Sequence, residues 1–172
     1  MSPHEEVEEH VHHAHDPFEK TVAATMAIVA ALLAVVSVMG QHFNTEKLLA
    51  QGKASDEWAY SQAKDIRHYI AQATHDSLED VRSGSTVLGA YDRDAKRYKK
   101  EAADIQEKAR DLEKERDANG RKADRFHFGE VFLEVAIVLS SLSILTKRKP
   151  FFWGGLMAAI FGVIIGVTAY WA

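Results

Sequence analysis

The sequence predicts an all-α membrane protein with three transmembrane helices and a long antiparallel coiled-coil hairpin between the first and second. Two observations carry this. Apolar and charged residues are segregated into blocks: residues 21–40 and 151–172 carry no charge, whereas 41–128 hold seventeen of the 21 Lys and Arg. A heptad pattern of apolar residues also runs through the charged block. The slightly negative mean hydropathy, -0.23, averages over this segregation and hides it.

The first span is read over 17–40. A hydrocarbon core of roughly 30 Å needs about 20 helical residues, and TVAATMAIVAALLAVVSVMG meets that. Asp16 can cap its start, Pro17 suits the first helical position, and Glu19 completes a capping-box pattern. The acidic residues 1–16 and the length of the apolar run argue against a cleaved signal peptide. The third span, 151–172, follows Pro150. Trp153 and the Tyr170-Trp171 pair lie about 26 Å apart at ~1.5 Å per residue, a separation suited to aromatic belts at two interfaces. The second span, 129–146, is the shortest and contains Glu134. If Val131 marks its start, Glu134 lies one turn inside the boundary. There it is either an intramembrane polar site for an ion or proton, or a tolerated carboxylate that snorkels to the interface. The basic loop 147–150 joins it to the third span.

Gly154, Ala158, Gly162 and Gly166 recur every four residues in the third span. Small residues on one face let helix backbones approach closely in lipid, so these four read as a helix-packing face, within one chain or between copies.

In the hairpin, 41–128, Leu88, Tyr91, Ala95, Tyr98, Ala102, Ile105, Ala109 and Leu112 form one seam, and Ala59, Ala63, Ile66, Ile70, Ala73 and Ser77 a weaker one. Ser83-Gly84-Ser85 lies between them as a turn, with Gly84 suited to the left-handed conformation. Folding at Gly84 pairs Ala59 with Ala109, Ala63 with Ile105, Ile66 with Ala102 and Ile70 with Tyr98, because facing positions then sum to 168. Arg116 and Asn119 weaken the seam, and Asn119-Gly120 can turn or kink the chain. Trp58 and Tyr60 lie too far from the spans for an interfacial belt. They read as core or as a contact surface.

Nine histidines raise a metal hypothesis, with His10, His12, His13 and His15 in the acidic tail as the candidates. Imidazole and carboxylate suit zinc, nickel or copper. The tail has no framework to fix ligand geometry, so it reads as a solvated acidic segment. No HExxH, G-x-S-x-G, phosphate loop or dinucleotide fingerprint is present, and cysteine is absent. The expectation is a non-enzyme without cofactor or catalytic residues. A net charge of -4 gives no basic excess for nucleic acid.

HEEVEEHVHHAHDPFEK at the start, LLAQGKASDEWAYSQAK after the first span and SILTKRKPFFW between the last two resemble a family of small bacterial membrane proteins catalogued only as a domain of unknown function. The resemblance implies a membrane location and a bacterial source, and it brings no activity, cofactor or site residues.

Lys147, Arg148 and Lys149 occupy a very short loop, where the positive-inside rule is strongest. That puts the loop and the N-terminus in the cytoplasm and the hairpin on the far side of a bacterial inner membrane. Basic residues near the membrane in the hairpin, among them Lys47, Arg121 and Arg125, oppose this, but long loops translocate largely regardless of charge. The expected partners are membrane lipid and either further copies of the chain or an unidentified protein bound by the hairpin. The competing expectations are an oligomeric channel or transporter component using Glu134, and metal handling by the tail.

Overall fold

The computed structural model describes residues 17–79 and 86–171. The tail with its histidines, the Asp16 cap and the Ser83-Gly84-Ser85 turn lie outside the described residues. Three α-helices, α1 (Pro17–Glu79), α2 (Thr86–Thr146) and α3 (Lys149–Thr168), are followed by a 3-10 turn, Ala169–Trp171. No strand occurs among the described residues. Each helix carries a stretch long and apolar enough to cross a membrane. Pro17 and Pro150 fall in first turns, where a missing N–H costs nothing. At Asn119-Gly120, a pair able to turn or kink the chain, α2 continues as helix. Gly120 is buried there, and a Cβ on it would lie 3.5 Å from the Lys47 side chain, an ordinary contact.

The chain divides into two compact units, Met1–Asn44 with Arg121–Ala172, and Thr45–Gly120. The division falls beyond Gly40 and before Phe128, the expected membrane exits. Phe43 and Phe126 stack at 5.7 Å, which ties both turns to the apolar unit.

In the apolar unit, Val22, Val29 and Val36 on α1 repeat every seven residues and are buried, as are Phe126, Leu133 and Ala136 on α2 and Ala159 on α3. One end is closed by Phe18 against Phe152 (5.9 Å) and by Glu19 with Lys147 (3.6 Å). At the other end Phe126 meets Tyr170 edge-on at 6.1 Å, and Arg125 Nη1 donates to Thr168 O at 2.8 Å. A cation there meets the carbonyl-rich end of α3. The basic loop is shorter than expected. Helix α3 already starts at Lys149, leaving Lys147 and Arg148 as the whole connection. Lys147 has φ 55, and Ser143 Oγ donates to Arg148 O at 3.2 Å, which closes so tight a turn.

In the unit Thr45–Gly120, α1 and α2 run in opposite directions. Cross-contacts descend from Trp58 with Glu113 through Lys64 with Glu101 to His68 with Ala95. The α2 seam lies inward, with Ala95, Ala102 and Ala109 buried. The α1 seam is a correction to the sequence reading. Ala59, Ala63, Ile66, Ile70, Ala73 and Ser77 are all exposed, and the inward positions are Ala50, Ala54, Ser61 and Ala71, with Lys64 and His68 half-buried among them. Ala102 therefore faces Ser61 rather than Ile66, with Ser61 Oγ donating to Ala102 O at 3.3 Å. His68 Nδ1 lies 2.9 Å from Ala95 O, a contact that requires a proton on Nδ1. Polar side chains occupy this seam because each finds a partner, and a buried polar group costs little once hydrogen-bonded.

Candidate functional site

Helix α3 packs on α2 through its smallest residues. Gly155, Ala159, Gly162 and Gly166 are buried, and Ala169 beyond them is too. A Cβ on Gly129 would lie 2.8 Å from Gly162 O, one on Gly162 would lie 2.8 Å from Gly129 O, and one on Gly155 would lie 2.9 Å from Ala136 O. The two backbones thus touch. Of the expected face, Gly162 and Gly166 lie in this contact, Ala158 is half-buried and Gly154 is exposed. Four-residue steps advance about 40° each on a helix of 3.6 residues per turn, so Gly154 has rotated roughly 120° from Gly166. The alternating 155–159–162–166 pattern stays on one side.

The buried face of α2 follows the same alternation: Phe126, Gly129, Leu133, Ala136, Ser140 and Ser143. Roughly opposite runs a second stripe that is exposed throughout: His127, Val131, Glu134, Val138, Ser141 and Leu145. Among the described residues Glu134 makes no ion pair or hydrogen bond. It also lies deeper than one turn inside the apolar unit. Phe126 and Lys147, at the two ends of the apolar unit, are about 31 Å apart along α2, which puts Glu134 roughly 4 Å from the middle. The sequence reading put the span at 129–146, with Glu134 about one turn inside its boundary. Contacts of Phe126 with Phe43 and Tyr170 extend the apolar slab by more than a turn. No other Asp, Glu, Lys or Arg falls within 21–40, 131–146 or 151–172.

In the charged unit, Trp58 and Tyr60 take different roles. Trp58 Nε1 donates to Glu113 Oε1 at 3.0 Å and is half-buried, whereas Tyr60 is exposed, with Lys64 Nζ 5.2 Å from its ring centre. Lys64 and Glu101 pair at 2.5 Å. Their hydrogen bond holds the lysine above and the glutamate below their ordinary values. His75, Asp76 and Glu79 form a group with metal-ligand atoms, but it is solvent-facing and acidic, and such groups are common without a metal. The outer face of α1 is more informative. Ile66 and Ile70 are 59% and 61% exposed at seam positions, flanked by Tyr69.

These features define a protein that is all-helical over its described residues, with three helices long and apolar enough to cross a membrane. The chain belongs to the family described as a domain of unknown function (DUF4337), whose model matches residues 18–172. No curated protein and no solved structure matches it.

Proposed function

We propose that this chain is a non-enzymatic, multi-pass membrane protein that self-assembles through a helical hairpin. In this reading Thr45–Gly120 forms an antiparallel coiled coil, and its outer α1 seam is offered to a second copy. The supporting observation is that seam itself: Ala59, Ala63, Ile66, Ile70, Ala73 and Ser77 keep heptad spacing and are exposed at every position. An uncharged a/d stripe left open by its own chain is the pattern of a helix with two partners. Copies anchored in one membrane share an orientation, so each seam residue meets its own counterpart at matching height. In this reading the N-terminus lies in the cytoplasm of a bacterial cell and the hairpin on the far side, which the basic Lys147–Lys149 segment supports.

The test is sedimentation or light scattering of the full chain in mild detergent, with and without Ile66→Asp and Ile70→Asp together. The expected result is an oligomer that becomes monomeric in the variant, with helicity and melting temperature unchanged. A monomeric wild type, or a variant that assembles as well as the wild type, refutes the reading.

A further inference from the structure

We infer that the outward stripe of α2 is a second self-association surface, inside the membrane, where the Glu134 side chains of two copies hydrogen-bond to each other. This rests on the reading of the chain as a self-associating membrane protein, and it adds a contact that the hairpin does not supply.

Three observations converge. First, the stripe has its own alternating four-and-three spacing, from His127 to Leu145, on the side of α2 away from α3. Second, it passes through two shallow concave patches. One of about 390 Å³ is lined by Asp124, His127, Phe128 and Val131, and one of about 450 Å³ includes Met26, Val138, Ser141 and Leu145. A helix face that is both periodic and flanked by grooves is shaped to receive another helix. Third, Glu134 is exposed on that face, between the two patches, and has no partner among the described residues. Ionisable side chains at this depth face a protein interior or a water-filled cavity rather than lipid. The stripe is thus an interior surface whose other half is missing from one copy.

The chemistry of the stripe selects the occupant. Residues 21–40, 131–146 and 151–172 contain no Lys or Arg, so a second copy has no cation to offer at the depth of Glu134. A carboxyl group, however, can donate and accept, and two of them complement each other when they share a proton. Parallel packing of two co-oriented copies brings Glu134 to Glu134 and Ser141 to Ser141, with Val131, Val138 and Leu145 packing between them. Small and hydroxyl-bearing residues at such seams favour close approach in lipid. A foreign helix bearing an intramembrane Lys or Arg would satisfy Glu134 differently, by charge, and the two occupants respond oppositely to a neutral amide at this position.

The chain has no cysteine, so single cysteines can report proximity directly. The full chain in native membranes, carrying Val131→Cys, Val138→Cys, Ala30→Cys or Ile160→Cys, is oxidised with copper phenanthroline. The expected outcome is disulfide-linked dimer from Val131→Cys and Val138→Cys at least fivefold above Ala30→Cys and Ile160→Cys, which are exposed on α1 and α3. Added to Val138→Cys, Glu134→Ala should bring linking down to the control level, and Glu134→Gln should keep it within about twofold. Equal linking at all four sites, no linking, or full linking in Glu134→Ala overturns the inference. Linking lost in Glu134→Gln as fully as in Glu134→Ala shows that no hydrogen bond an amide can keep holds the copies together, and also overturns it. Ile70→Cys, run alongside, separates this surface from the hairpin. Dimer at Ile70 without dimer at Val138 removes only the membrane contact, and the reverse removes only the hairpin seam.

Discussion

Gly162→Ala is the sharpest probe of how α2 and α3 are held together. A Cβ at this position would sit 2.8 Å from Gly129 O, and 3.1 Å from both Leu133 Cγ and Phe132 Cβ. Ordinary contact begins near 3.4 Å, so the carbonyl is overlapped by about 0.6 Å. A side chain could rotate away, but the obstructing atom is backbone, and close-packed interiors transmit such strain. The helices must part, and the reciprocal approach of Gly129 to Gly162 O loosens with them. Overpacking costs about 1–3 kcal/mol, here toward the upper end. Replacing glycine by alanine in a helix returns up to about 1 kcal/mol. The expected net loss is therefore about 1–2 kcal/mol. Gly154→Ala is the internal control, since its nearest obstacle is Leu139 Cδ1 at 3.7 Å and only the propensity gain remains. Unfolding of the full chain in detergent, titrated with SDS and followed by the fluorescence of Trp153 and Trp171, should separate the two variants by about 2–3 kcal/mol. Equal stability of the two variants would falsify the backbone-contact argument.

Two further predictions concern single interactions. Glu101 sits below and Lys64 above its ordinary value. The glutamate's contribution is thus present above about pH 4.3, its unfolded value, and is lost as pH falls through the lower folded value. The lysine's is present below about pH 10.4 and is lost as pH rises through the higher folded value. Glu101→Gln should flatten the acid limb of the stability–pH curve, and an unchanged limb contradicts the pairing. At Lys147, a φ of 55 in a residue with a Cβ costs about 1 kcal/mol that glycine avoids. Lys147→Gly should therefore raise stability by about 0.5–1 kcal/mol, less whatever the exposed Glu19 contact contributes. A lower melting temperature would show that the ion pair outweighs the strain.

The two ends of the chain show what a sequence determines alone. Uninterrupted apolar runs at 21–40 and 151–172 specify membrane-length helices, because in lipid a helix satisfies its own backbone whatever its neighbours. The α2 seam was equally legible, since Ala95, Ala102 and Ala109 are small, evenly spaced and set among charges. Its α1 partner was not. Two heptad stripes on α1 compete, and hydrophobicity favours Ile66 and Ile70. The choice fell to Ser61, Lys64 and His68, whose partners Ala102 O, Glu101 and Ala95 O lie more than 25 residues away and exist only once the helices meet. Of the Gly154–Gly166 ladder only Gly162 and Gly166 reach the contact, since fixed four-residue steps drift around the helix while a packing face does not. The extent of the apolar unit around Glu134 was set by Phe126 against Phe43 and Tyr170. Length, polarity and periodicity are local properties that the sequence carries outright. Which of two possible faces is covered, and how far an apolar slab extends, depend on the chemistry that another helix brings, and only the tertiary structure decided them.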